Sequence, residues 1–195
     1  MRRLLEHEAA REGAWLHVVR DAEREAVAAL IADGDRRQMA DKGFRRELAA
    51  WVHPNTSPAR RGMRGSGFGF GDLMSLAAPI VIRTFDLGRR QAAKDHELAE
   101  HSPLLAVLGT DGDSKREWLQ AGQAMERVLL QACAHGLTSS FLNQPVEVVA
   151  LRPRLADAIG RGDGAPQLLM RFGYGPDVLH PQREGVDAVM TRRRP

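Results

Sequence analysis

One cysteine in 195 residues rules out an internal disulfide, and a reducing cytoplasm is the simplest compartment for such a chain. Aromatic residues are scarce at 5%, and the formal charge of +3 is interleaved with acids throughout. A nucleic-acid protein concentrates basic side chains on one face with aromatics among them, so no nucleic-acid partner is expected. No apolar run approaches the roughly 20 residues that cross a bilayer, so no membrane partner is expected either. The opening MRRLLEHEAAREGAW acquires Glu6, Glu8 and Glu12 at once, which suits an amphipathic helix rather than a signal peptide. Internal repeats and low-complexity segments are also missing. These absences predict one domain over 1–195, with a lid-like loop at 53–71 and a solvated basic tail at 192–195.

The remaining sequence carries a readable order of elements. A helix is expected over 2–12 and a strand over 14–19. Asp21 opens a helix to about Arg37, with Ala22, Ala26, Ala29 and Leu30 on one face, and Asp41 opens another with Phe44, Leu48 and Trp51 on its apolar stripe. HPNTSPARRGMRGSGFGFG, from His53 to Gly71, has two prolines, five glycines and no helical period. It reads as a long loop, and such loops are commonly lids. Asp72 fits the N-cap of a helix, and the following IVIRTF is compatible with strand or helix. Leu87 to Glu100 reads as a helix and PLLAVLGT as the best buried strand.

From Ser114 the signals sharpen. Ser114 and Glu117 fit the reciprocal cap S-x-x-E. Trp118, Ala121, Met125, Val128 and Ala132 recur at helical spacing, and Gly136 ends the helix. Gly122 inside it costs on the order of 1 kcal/mol against Ala, which predicts a second backbone crossing there. Cys133 reads as a small buried residue. LTSSFL is a strand, QPVE a turn, LRPRLADAIG a short helix with Pro153 in its first turn, and QLLMRFGYG a strand. Strands mixed with long helices imply an α/β or α+β layered fold.

Two tempting motifs fail on spacing. GSGFGFGD puts Phe70 where the third glycine of a dinucleotide cradle belongs. In HELAEH the histidines, His96 and His101, lie five apart rather than four, so a helix turns them away from one another. No metal site is expected, and no triad or paired-carboxylate signature points to a catalytic side chain.

Several spaced blocks do occur together in a known order. Trp118, Gly122, Gln123 and Ala124 form W-x-x-x-G-Q-A. Pro145, Val146 and Glu147 form Pro-x-Glu, and Pro166, Leu169, Gly173 and Tyr174 form P-x-x-L-x-x-x-G-Y. This series resembles the nitroreductase-like FMN flavoproteins, and FLNQPVEV followed by LRPRL resembles the second half of an actinobacterial subgroup that fuses two related halves. The clear resemblance covers about the last half of the chain and a looser one reaches towards the N-terminus.

The resemblance implies a nitroreductase-like α+β fold, with a mainly antiparallel central sheet flanked by long helices. It implies FMN as cofactor and a nicotinamide nucleotide as the second ligand. Hydride would pass through flavin N5 to a nitroaromatic, quinone or similar acceptor. Gln144, Pro145, Val146 and Glu147 would lie against the ring, with the Glu147 N–H as donor near N5, and Arg183 would meet the phosphate. Val148 stands where the family often has glycine, and Pro181 and Gln182 where it often has a basic residue. The family's Ser-containing basic phosphate segment and its N-x-Q-P-W loop are missing. The implied partner is a second copy in a homodimer or another chain. The alternative is a non-catalytic module that holds or sequesters flavin, or a degenerate partner subunit.

Overall fold

Leu104–Thr110 is buried along almost its whole length, which is why PLLAVLGT reads as an unbroken apolar run. In this computed structural model, which describes residues 1–175 and 184–190, that segment is a central strand. In chain order the elements are α1 (Arg2–Ala10), β1 (Trp15–Val18), α2 (Asp21–Ala40), α3 (Lys42–Trp51), β2 (Val52–His53), β3 (Met63–Arg64), α4 (Asp72–Thr84), α5 (Gly88–Glu100), β4 (Leu104–Thr110), α6 (Lys115–Ala134), β5 (Thr138–Phe141), α7 (Gln144–Glu147), α8 (Arg152–Ala158), β6 (Ala165–Gly173) and α9 (Val186–Val189). They group into two compact units, one of residues 1–38 and 88–175 and the other of 39–87 and 176–195. Among the described residues no helix is long and apolar enough to cross a membrane.

The first unit holds a four-stranded sheet in the order β1-β4-β6-β5, every neighbouring pair antiparallel. The expected mainly antiparallel central sheet is therefore present. Strand alternation sends successive residues of β4 to opposite faces. Ala106 and Leu108 join Leu16, Val18, Met170 and Phe172 beneath Leu5 and Ala9 of α1 and Ala124 and Val128 of α6. Leu105, Val107 and Leu169 face the other way, onto Val27, Ala28 and Ile31 of α2, Ala99 of α5 and Leu155 of α8. Helices thus cover both faces, and each large side chain buried this way contributes about 1.5–3 kcal/mol. Opposite Trp15 on β1, a Cβ on Gly109 would fall 2.2 Å from the indole ring, so only glycine fits that cross-strand pair.

The long helix α6 begins with the expected capping box between Ser114 and Glu117. Its buried stripe is Ala121, Ala124, Val128 and Ala132. Trp118 departs from the expected stripe: it is exposed, and its Nε1 donates to Asp113 Oδ1 at 2.7 Å. Asp113 also receives both Arg152 nitrogens, at 2.7 and 2.8 Å, and Gln167 Nε2 at 3.1 Å. The Arg152 pair is first among the contacts that hold its carboxyl far below the usual range. Two more expectations for α6 fail. Nothing lies within 4 Å of a Cβ built on Gly122, and Cys133 is exposed rather than buried.

On α2 the buried face includes Glu23, Val27, Leu30, Ile31 and Asp35; of the expected stripe Leu30 is buried, while Ala22, Ala26 and Ala29 point to solvent. Alanine carries little burial free energy, so the branched residues set the rotation of the helix. Glu23 accepts from the Arg20 backbone at 2.9 Å, from the Arg20 side chain and from His17 at 2.8 Å.

In the second unit, Asp41 caps α3 by accepting from Gly43 N at 2.6 Å. Arg45 and Ala49 are its buried residues, Phe44 and Leu48 are half-buried and Trp51 is exposed, and the Arg45 guanidinium donates to the Met39 and Ala40 carbonyls at the end of α2. A cation there satisfies carbonyls that the helix leaves free. IVIRTF proves helical, as the last part of α4, with Pro79 inside it. Residues 53–71 carry more structure than their glycines imply. β2 and β3 pair in parallel, Gly65–Phe68 makes a 3-10 turn, and Asn55 ties them down. Its Oδ1 accepts from Ser66 N at 2.7 Å and its Nδ2 donates to Asp72 Oδ1 at 2.9 Å.

Candidate functional site

The strand β5 ends at Phe141, and the next residues lock the chain to β6. Leu142 N donates to the Leu169 carbonyl at 2.9 Å, and Leu169 N donates to Asn143 Oδ1 at 2.9 Å. The Asn143 main-chain carbonyl accepts from Val146 N at 2.8 Å and Glu147 N at 2.9 Å, closing the single turn of α7. Pro145 sits in its first turn, where no N–H is needed, and is buried. Val146 packs into the core formed by α2, α5 and α8. Glu147 is exposed, and Gln38 Nε2 of α2 donates to its Oε2 at 2.6 Å.

Gln144, Pro145, Val146 and Glu147 therefore form one hydrogen-bonded turn, tied to α2 through Gln38 and Asp35. The Glu147 N–H, which the resemblance assigns as a donor, is engaged with Asn143 in this conformation. Arg183, the fifth expected site residue, lies outside the described residues.

Behind the turn is a cluster that the sequence reading did not single out. Gln144 Nε2 donates to Asp35 Oδ1 of α2 and to Asp95 Oδ2 of α5, both at 3.0 Å. Gln91 Nε2 donates to the same Asp95 oxygen at 2.9 Å. Asp35 is 4% exposed and Asp95 5%. Burial, then the neighbouring Asp95 charge, push the Asp35 carboxyl up to about 7, against the opposing Gln144 hydrogen bond. Asp35 Oδ2 and Gln144 Oε1 are buried acceptors with no hydrogen-bond partner among the described residues. One signal was available: Asp35 lies on the same helical face as Val27 and Ile31, and a buried acid among apolar residues needs a partner.

Elsewhere, His96 meets Glu25 and Glu100 rather than His101. Its Nε2 is 3.5 Å from Glu25 Oε1 and its Nδ1 3.4 Å from Glu100 Oε2. The three ligand atoms lie within 4.8 Å of one another. Each ring nitrogen faces a different carboxylate, so the group reads as two surface polar contacts.

Comparison with known proteins follows the same lines. No family model matches the chain. It is 30% identical over 179 residues to the Mycobacterium tuberculosis protein named "Putative NAD(P)H nitroreductase", covering 91% of this chain and 50% of that protein. It is 26% identical over 192 residues to an "Uncharacterized protein" of the same organism, covering 93% of this chain and 52% of that protein. The chain thus spans about half the length of the relatives it matches. Among solved structures it resembles the FMN- and NADPH-dependent nitroreductase NfnB of Sphigopyxis sp. strain HMH, with TM-score 0.57, 18% identity, and coverage of 99% of this chain and 90% of that one. It also resembles the FMN-dependent NfnB of Mycobacterium smegmatis in complex with NADPH, with TM-score 0.55, 15% identity, and coverage of 99% and 87%. The chain has the α+β nitroreductase fold, and its sequence likeness runs to about half the length of larger mycobacterial proteins, one of them named for NAD(P)H nitroreduction.

Proposed function

We propose that this chain is an FMN-dependent NAD(P)H oxidoreductase of nitroreductase type, working as a homodimer or with a partner chain. The observation that carries this reading is the hydrogen-bonded Gln144–Glu147 turn at the end of β5, in a fold also found in FMN-dependent nitroreductases. Likeness to a relative named for NAD(P)H nitroreduction supports the nucleotide. The turn suits a flat ring: Pro145 anchors it inward, and Glu147 faces solvent. Gln144, Pro145, Val146, Glu147 and Arg183 would hold FMN, which when bound supplies hydride transfer from the nicotinamide to a nitroaromatic, quinone or similar acceptor. The chain's own task is then positioning, and no side chain need act as acid, base or nucleophile. The test is the visible spectrum of the purified protein, FMN titration followed by thermal unfolding, and NAD(P)H consumption with a nitroaromatic or quinone. Bound flavin with turnover supports the reading, and indifference to excess FMN removes it.

The engaged Glu147 N–H favours a second reading. A donor already spent within α7 is not free for a ring, which suits a non-catalytic flavin-holding module or a degenerate partner subunit. Such a protein binds FMN without consuming NAD(P)H, or binds none until its partner chain is added.

A further inference from the structure

We infer that Asp35 and Asp95 share a single proton, and that this proton sets, through Gln144, the position of the turn that follows β5, making the turn's hold on its ligand pH-dependent. The ligand in this statement is FMN and rests on the reading above; the coupling of proton to turn does not.

The inference stands on a count of donors and acceptors. One amide nitrogen bridges the two carboxyls: Gln144 Nε2 lies 3.0 Å from an oxygen of each, and both acids are almost completely buried. The side-chain donors to them are Gln144 Nε2, shared between both, and Gln91 Nε2 on Asp95. Neither acid forms an ion pair among the described residues. The charged and polar groups facing the pair are Gln91 from α5, Gln144 from α7, and Arg36, next to Asp35 on α2. Arg36 is exposed and already faces Asp33 at 3.7 Å. The Glu147 carboxylate is held away by Gln38 at 2.6 Å. Both atoms left unpaired, Asp35 Oδ2 and Gln144 Oε1, are acceptors. What the cluster lacks is therefore a donor, and a carboxyl proton is the smallest group that supplies one. Two carboxylates bridged by one amide in a buried setting repel one another, and a proton between them relieves that repulsion.

The mechanical link is direct. Gln144 donates to both acids and begins α7. At Gly34 there is no room between helices: a Cβ there would lie 2.6 Å from Gln144 Cβ and 2.9 Å from its main-chain carbon. Loss of the proton leaves two like charges on either side of one amide, and their separation moves the residue on which the turn is built.

The test uses the flavin-free protein, isotopically labelled. The side-chain carboxyl signals of Asp35 and Asp95 and the amide signals of Val146 and Glu147 are followed by NMR from pH 5 to 9. The expected result is one carboxyl step near neutrality, with both amides shifting at the same midpoint. Asp35→Asn, neutral and of the same shape, abolishes the step and leaves the amides at their low-pH positions; Asp95→Asn serves if the first variant does not fold. Full titration of both acids below pH 5, amides that ignore the step, or amides that still follow it in the folded variant overturn the inference. A separate arm measures FMN affinity against pH. Weakening by as much as about tenfold per pH unit above the midpoint, lost in the variant, is expected of one linked proton. Affinity that ignores pH overturns the coupling to ligand. If FMN binds at no pH, the flavin reading fails while the carboxyl and amide signals still judge the proton and the turn.

Discussion

The Cβ position of Gly34 lies 2.6 Å from the Cβ of Gln144, so α2 and α7 meet backbone to backbone at the residue that opens the turn. Two effects of Gly34→Ala oppose each other. Alanine in a helix interior is favoured over glycine by about 1 kcal/mol. Here, however, the new methyl meets Cβ and main-chain atoms, not the movable end of a side chain, and such overpacking costs about 1–3 kcal/mol. The clash wins. Urea unfolding is expected to show a net loss of up to about 2 kcal/mol in Gly34→Ala; a gain in stability would mean that the helices part freely.

Asp35 predicts the response of the fold to alkali. Its carboxyl is raised from 3.8 to about 7, first by burial and then by Asp95. Between those values the folded protein binds the proton that the unfolded chain has released. Stability therefore falls as pH rises from about 4, at up to about 1.4 kcal/mol per pH unit, and the loss is complete above the folded value. Denaturant midpoints measured from pH 5 to 8 should decline in the native protein. In Asp35→Asn the decline from this group should vanish. An Asp35→Asn slope equal to the native one would assign the titration to another group.

Glu23 predicts the opposite response. Burial alone would raise its carboxyl, but hydrogen bonds from Arg20 and His17 outweigh it and bring the value from 4.5 down to about 2. A depressed carboxyl adds stability above its unfolded value, and that stability is lost as pH falls from about 4.5 towards 2. Arg20 is largely exposed, and solvent weakens its share. Glu23→Gln should then cost on the order of 1–2 kcal/mol at pH 7, and the deficit should shrink by pH 3. Denaturation curves of both proteins at the two pH values decide it.

The contrast between α6 and α2 shows how far the sequence could be read. On α6 the cap residues Ser114 and Glu117 act locally, so their pairing is visible from spacing alone. β4 is legible for a similar reason, since burial on both faces leaves an apolar run. On α2 the alanines obscured the rotation, because their burial or exposure changes little energy. The Asp35–Asp95–Gln144 cluster draws on residues 60 and 49 apart in sequence, and no local pattern announces it. The turn itself was legible through resemblance. The use of its Glu147 N–H by Asn143 was not, since that depends on how tightly α7 closes.

Gly122 supplies the last prediction, and its sign discriminates between two surroundings. The helix α6 is exposed at this residue, and nothing within 4 Å would meet a Cβ there. Its φ is not in the left-handed region, so alanine adopts the same backbone without strain. In the isolated chain, Gly122→Ala should stabilise by up to about 1 kcal/mol through helix propensity alone. Leu119 and Leu130 are exposed on the same helix, at 72% and 65%. If a second backbone crosses at Gly122 when chains associate, the added methyl instead meets main-chain atoms, and the cost falls only on the assembly. Thermal unfolding at low and high protein concentration, with sedimentation at both, separates the cases. A gain at every concentration with unchanged mass means an open helix face. A gain in the dilute protein that reverses as it concentrates, with loss of the larger species, means that the glycine is kept for a partner's approach.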